Sequence, residues 1–497
     1  MKYIATVTLL LLFTFPSLSQ KIFHTRVDKT DINLRGTVVV IAQIEVVAPS
    51  AGKVMVRFDG DCISSPGDKI IIAASKTPNW GTGDNSIFVK AMSNDLNSNV
   101  FCHTRVYDVS AGVHTFYAVA QNYAETPGTG IASLYGSFTA EWFPEISGQA
   151  FVQHKGIIKE DFNVEGAPVV LATQTINTPV SGKVIVRFDG LCKSSDGDLI
   201  FLAANDSPTW GSNEGSSSIE IPDDEFNTNS FSHIKTFDVT PGEHTYYAVI
   251  ENYYEVYGNG IASVYGSLTT SFYPNQEEVQ PVNMPIVQIG AIIDNGPANL
   301  GELVLNTTKA GKVLLNFSGT CIGSFGDYIK LAANDSPTWG PHDGSFGFEP
   351  FSSDRNRTSF SHTRMFDVGA GEHHYYAVAE NVNEFFGSGL VVVYGNLTAT
   401  FFPQESVSST EPDFVQNFRL APNPGNDVVS ILTDNLDGKA INIQVYDEKG
   451  SLVKSFYGLL PEADGKLNLS VASLQAGNYF IKIEGESLSG LRKFQKL

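Results

Sequence analysis

Apolar residues recur at every second position through much of the chain. Val184, Val186 and Phe188 interleave with Lys183, Ile185 and Arg187, and Val54, Val56 and Phe58 repeat the pattern earlier. A period of two is the signature of a strand with one face toward a core. No long stretch repeats apolar residues every three to four positions, so short strands joined by turns are expected throughout. Further strands are predicted at Leu199–Ala203 and Ile261–Phe272. The segment Phe231–Val239, the turn Thr240-Pro241-Gly242-Glu243 and the run His244–Val249 together predict a β-hairpin.

The same pattern occurs three times. Gly52-Lys53-Val54, Gly182-Lys183-Val184 and Gly311-Lys312-Val313 open similar stretches, and the offsets persist through Trp80, Trp210 and Trp339, then His103, His233 and His362. Each unit exceeds 100 residues, far beyond solenoid periods of about 20 to 50, so each is long enough to bury its own core. The sequence therefore predicts an all-β chain of three tandem antiparallel β-sandwich repeats, jelly-roll or immunoglobulin-like, arranged as beads on a string. The pattern lapses near Glu145–Gln149 and Asn275–Gln280. The repeats are accordingly placed at 22–146, 151–275 and 281–403, with a Ser/Glu/Thr-rich linker at 404–412 and a terminal segment at 413–497.

Composition narrows the setting. With 33 Phe, 19 Tyr and 45 Gly in 497 residues the chain is rich in strand and turn formers, and its formal charge of −21 repels phosphate backbones, which excludes nucleic acid as a partner. Residues 1–19 carry Lys2, an apolar run from Ile4 to Phe15 and small residues at Ser17 and Ser19, the pattern of a secretory signal peptide cut after Ser19. The apolar run is shorter than the roughly 20 residues that span a bilayer.

The terminal segment opens with Pro422-Asn423-Pro424. It continues through an Asp447-Glu448-Lys449-Gly450 turn between alternating runs and the motif Leu474-Gln475-Ala476-Gly477-Asn478-Tyr479, and ends in a basic-apolar stretch with Lys493 and Lys496. In this order the motifs resemble the type A sorting domain of the type IX secretion system of Bacteroidetes-type bacteria. The resemblance implies a small C-terminal β-sandwich, Sec export, recognition by the type IX translocon, and release or attachment at the cell surface.

Candidate chemistry in the repeats is sparse. With the predicted hairpin, His233 lies about 20 Å from His244 at strand rise, too far for one metal. Asp68, Asp198 and Asp327 follow Gly in turns, and Asp108, Asp238 and Asp367 precede the later turn; both sets suit turn caps. No hydrolase, zinc-protease or phosphate-loop motif is present, and no cofactor or metal is expected. The loops Asn205-Asp206-Ser207-Pro208-Thr209-Trp210 and Asn334-Asp335-Ser336-Pro337-Thr338-Trp339, with a looser copy ending at Trp80, have two readings. Their indoles and polar side chains could take a sugar ring, or the Trp could plug an end of the sandwich. Cys62 and Cys102 lie 40 residues apart, while the positions matching Cys102 in the other repeats are Ser232 and Ser361. The spacing predicts a Cys62–Cys102 disulfide contributing about 3 to 4 kcal/mol, with Cys192 and Cys321 as buried thiols. The functional expectation is a secreted or surface binding protein using tandem modules against polysaccharide or a cell-surface glycan. A structural adhesin or spacer is the alternative, and a polysaccharide-degrading enzyme is third.

Overall fold

A computed structural model describes residues 20–404 and 418–497, except the short segments 81–85, 91–97, 124–127, 147–148, 196–197, 212–214, 222–227, 256–259, 276–278, 294–295, 325–326, 341–343, 349, 351–356, 385–388, 434–440, 448–451, 461–465 and 485–488. The expected signal peptide, the linker beyond Gln404 and most of the 447–450 turn lie outside the described residues. The chain divides into one compact unit through Gln404 and a second at Glu405–Leu497.

Repeat 1 contains β1 (Lys21–Asn33), β2 (Val39–Ala48), β3 (Gly52–Ser64), β4 (Lys69–Ser75), β5 (Ile87–Lys90), β6 (Ser98–Val109), β7 (Gly112–Asn122) and β8 (Ile131–Pro144). Repeat 2 contains β9 (Phe151–Asn163), β10 (Val169–Thr178), β11 (Gly182–Lys193), β12 (Asp198–Asn205), β13 (Ser217–Glu220), β14 (Thr228–Val239), β15 (Gly242–Glu255) and β16 (Ile261–Pro274). Repeat 3 contains β17 (Gln280–Ile292), β18 (Ala298–Thr307), β19 (Gly311–Ile322), β20 (Asp327–Asn334), β21 (Phe346–Phe348), β22 (Arg357–Val368), β23 (Gly371–Glu384) and β24 (Leu390–Pro403). In repeat 1 an inner sheet of order β1-β8-β3-β6 faces an outer sheet of order β2-β7-β4-β5, and both orders recur in the other repeats. This is the eight-stranded jelly roll, which settles the choice the sequence left open.

The predicted hairpin is not formed. β14 pairs with β11 in the inner sheet, whereas β15 pairs with β10 and β12 in the outer one. The turn at 240–241 thus crosses between sheets. Both flanking strands send an apolar face to the same core, so alternation reads identically for a hairpin and a crossing.

Each sandwich has its own core. In repeat 1, Val54, Val56, Phe58 and Cys62 of β3 point into it. The intervening residues Met55, Arg57, Asp59 and Asp61 point the other way, yet they are as buried as the core itself. Other repeats cover them, so the repeats are not beads on a string. Met55, Ile185, Ile234, Tyr273 and Phe402, drawn from all three repeats, form a shared apolar cluster. Three equivalent hydrogen bonds close the arrangement: Ser137 donates to the Thr363 carbonyl at 2.5 Å, Ser267 to that of Thr104 at 3.4 Å, and Asn396 to that of Ile234 at 3.0 Å. Repeat 1 bonds to 3, 2 to 1 and 3 to 2, which is a ring with quasi-threefold symmetry within one chain. Below, this unit is called the head.

The ring is sealed by polar groups. Asp59 accepts from Thr363 Oγ1 at 2.6 Å and Ser361 Oγ at 3.2 Å, and Asp189 accepts from Thr104 Oγ1 at 2.7 Å and Ser232 Oγ at 2.5 Å. Arg57 lies 3.6 Å from Asp59 and donates through Nε to Cys102 Sγ at 3.4 Å. Cys102 therefore faces the axis. In the β3–β6 register it sits opposite Asp59, while Cys62 sits opposite Asn99 and points into the sandwich. All four cysteines are free and buried. The expected Cys62–Cys102 disulfide is not formed, because its two thiols lie on opposite faces of one sheet.

The second unit is a small β-sandwich: a three-stranded sheet β25 (Phe418–Ala421), β26 (Val428–Thr433) and β29 (Lys466–Ser470), and a sheet of order β28-β27-β30-β31. The latter comprises β28 (Leu452–Leu459), β27 (Ile441–Asp447), β30 (Gly477–Glu484) and β31 (Ser489–Lys496). Val429, Ile443, Val445, Ile481 and Phe494 fill the space between them.

Candidate functional site

Each head loop after β4, β12 and β20 is folded by its own polar side chains. Asn205 Nδ2 donates to the Thr209 carbonyl at 2.9 Å and to Ser207 Oγ at 3.1 Å, and Lys235 donates to Asn205 Oδ1 at 3.1 Å. Asn334 bonds likewise to Thr338 and Ser336, and Arg364 donates to its oxygen. These asparagines are buried and hold the loop, while Asp206 and Asp335 are exposed beside them.

The loop presents its Trp on the outer sheet. Ile200 and Leu202 of β12 enter the core, so Phe201 between them faces outward. Trp210 stacks on Phe201 at 4.4 Å between centroids, Tyr253 meets both rings edge-on at 5.3 Å, and Trp210 Nε1 donates to Glu251. Trp210 is half-buried and Tyr253 is 59% exposed. The partners Phe201, Glu251 and Tyr253 were not singled out from sequence. The available signal was Phe201 out of phase with the core positions and Glu251 interrupting an apolar run.

The copies differ around a constant Trp. Trp80 donates to Gln121 Oε1 at 2.7 Å, with exposed Tyr123 in the position of Tyr253. Trp339 has the Lys330 ammonium 4.0 Å from its ring centroid, and its indole N–H finds no acceptor among the described residues. Burial holds the Lys330 ammonium below the usual lysine range.

The recurring histidines and aspartates do other work. His103, His233 and His362 are buried and accept through Nδ1 from the backbone N–H of Ala74, Ala204 and Ala333, tying inner to outer sheet. Burial pushes His103 down to about 3. His114 and His244 bond the Ser110 and Thr240 carbonyls at the crossing turns. Asp68, Asp198 and Asp327 accept from Asn122, Asn252 and Asn381, and Asp108, Asp238 and Asp367 pair with Lys53, Lys183 and Lys312 at 2.6 Å.

In the second unit, motifs distant in sequence meet. Asn423 donates to the Lys493 carbonyl at 2.7 Å and accepts from Gln495 N–H at 3.0 Å, so the Pro422-Asn423-Pro424 turn is bonded to the last strand. Gly477 starts β30, Tyr479 donates to the Gln475 carbonyl at 2.9 Å, and Lys496 lies 3.5 Å from Asp427. Residues 419–496 match the family described as secretion system C-terminal sorting domain. The tail is a sorting domain. It marks the chain for the type IX secretion machinery and hence for export, to the medium or the cell surface.

No curated protein matches the chain. Among solved structures, similarity is found to a Faecalibacterium prausnitzii β-glucuronidase at 10% identity and TM-score 0.13, covering 45% of this chain and 47% of that one. The chain thus spans about half that enzyme's length. PNGase F, a glycosylasparaginase from Flavobacterium meningosepticum, matches at 11% identity and TM-score 0.25, over 51% of this chain and 96% of that one. A chain of Sulfolobus Turreted Icosahedral Virus matches at 10% identity and TM-score 0.19, over 51% and 90%.

Proposed function

We propose that the protein enters the secretory route through a signal peptide at residues 1–19, leaves the cell by way of its sorting tail, and binds polysaccharide without chemical turnover. The observation that supports this reading is the outward aromatic platform of Trp210, Phe201 and Tyr253 with the Glu251 carboxylate at its edge. Stacked aromatic faces beside a polar acceptor suit the C–H faces and hydroxyls of a sugar ring. The closed ring favours binding over spacing, because a ring adds no reach. It fixes three Trp sites on one rigid body, where simultaneous engagement of a repetitive target raises apparent affinity.

The test uses the whole secreted chain, since an isolated repeat would expose the shared cluster. Its pull-down on a panel of insoluble polysaccharides should show retention on at least one, and Trp210→Ala should weaken that retention about tenfold with the fold intact. No retention on any member, or retention indifferent to all three Trp→Ala changes, would return the spacer reading to first place.

A further inference from the structure

The ring's three junctions are equivalent in backbone and unequal in side chains. Between repeats 1 and 3 a cleft of about 400 Å³ is bounded by β1 and β2 on one side and by β19 and β22 on the other. Its apolar lining is Ile22, Phe23, Ile44 and Met365. Thr25 is the reason for the opening. The matching residues at the other junctions are Lys155 and Met284, both much longer, and Thr25 Oγ1 and Lys155 Nζ reach equivalent backbone carbonyls, of Gln43 and Thr173. A side chain ending after two heavy atoms beyond Cβ leaves unfilled the volume that a lysine or methionine would take.

The polar lining has defined roles. Ser137 spends its one hydroxyl proton on the Thr363 carbonyl, so its 3.1 Å contact with His24 Nε2 requires that nitrogen to carry a proton. Burial, with Lys312 and Arg364 nearby, lowers His24 to about 4, so the ring is neutral at pH 7 and its Nδ1 is an acceptor. Glu45 adds an exposed carboxylate, and Lys312 pairs with Asp367 at 2.6 Å on the repeat 3 wall. Gln43 offers both an amide donor and an acceptor. The lining thus offers both donors and acceptors beside an aromatic ring. Glu45 and Asp367 balance Lys312 and the nearby Arg364, which leaves no net positive charge to hold an anion, and the charged rim disfavours a lipid tail.

We infer that the junction of repeats 1 and 3 is a binding site for one neutral sugar residue or disaccharide end, separate from the Trp platforms. Phe23 takes the C–H face, and His24, Glu45 and Gln43 bond hydroxyls. The other two junctions, carrying Lys155 and Met284, lack the site.

Titration calorimetry on the full secreted chain with glucose, galactose, mannose, N-acetylglucosamine and cellobiose at millimolar concentration tests this. In a Trp80→Ala, Trp210→Ala, Trp339→Ala background, which removes the platforms, at least one probe should bind saturably with one site per chain. In that background Thr25→Met, which installs the residue found at 284, should weaken binding at least about tenfold. If Thr25→Met does not fold, Glu45→Gln on the exposed rim decides, with an expected loss of about threefold. Absence of saturable binding by every probe, a stoichiometry of three, or full affinity in the variant that folds would overturn the assignment.

Discussion

Glu141 and Asp61 illustrate what a sealed polar junction asks of single residues. Both are fully buried, Glu141 accepting from Tyr273 of repeat 2 at 2.9 Å and Asp61 from Ser98 at 3.3 Å. Burial pushes each up to about 7, against opposing pulls from Arg187 on Glu141 and from Lys330 and Ser98 on Asp61. A carboxyl whose folded pKa is raised binds its proton more readily in the folded state. Its contribution is therefore fully present below about pH 4, the unfolded range, and is lost as pH rises through about 7. Glu141 and Asp61 therefore favour pH 5 over pH 8, while the buried His24 and His103, held below the usual histidine range, favour pH 8, so the Glu141 contribution shows as the difference between parent and variant. Glu141→Gln should raise the denaturation midpoint at pH 8 and shift the stability difference between pH 5 and pH 8 in favour of pH 8. A variant less stable than the parent at pH 8, with that difference unchanged, would contradict this assignment. At this scale the sequence misled where parity was not tracked. Cys62 and Cys102 were paired by spacing alone, whereas Phe101 entering the core already puts Cys102 on the opposite face.

At the scale of elements, strand positions were legible because the core face obeys period two. Leu199–Ala203 lies within β12, Ile261–Phe272 within β16, and Ile441–Val445 joins Leu452 in the expected antiparallel pair β27–β28. What alternation does not encode is which sheet a strand joins, hence the mistaken hairpin at 231–249. The other face of β3 carries no such signal: Arg57, Asp59 and Asp61 are polar, and hydrogen bonds such as those from Thr363 and Ser361 of repeat 3 to Asp59 make their burial affordable. The tail was the most legible element, since its Asn423 and Lys493 motifs are bonded together in the fold. Deleting residues 405–497 should leave the protein in the periplasm, as judged by fractionation and surface proteolysis. Normal display or release of the truncated chain would refute the sorting role.

For the whole molecule, triplication was plain in the sequence, and closure was not. The residues that close the ring are Ser137, Ser267 and Asn396, small polar side chains whose partners are backbone carbonyls, which leave no pattern along the chain. Closure changes function in two ways. It turns three modules into one rigid body with outward Trp loops, and it creates junctions that can differ, of which that between repeats 1 and 3 holds the cleft. It also ties the stability of each repeat to its neighbours, since a lone repeat would leave Arg57 and Asp59, or their counterparts, without the groups that satisfy them.

Calorimetric unfolding of residues 20–404 therefore tests the central claim, that three jelly rolls form one closed head. One transition is expected, with calorimetric and van't Hoff enthalpies in agreement for the entire head. Two or three resolved transitions, each carrying about the enthalpy of a single 125-residue sandwich, would show independent beads and contradict the ring.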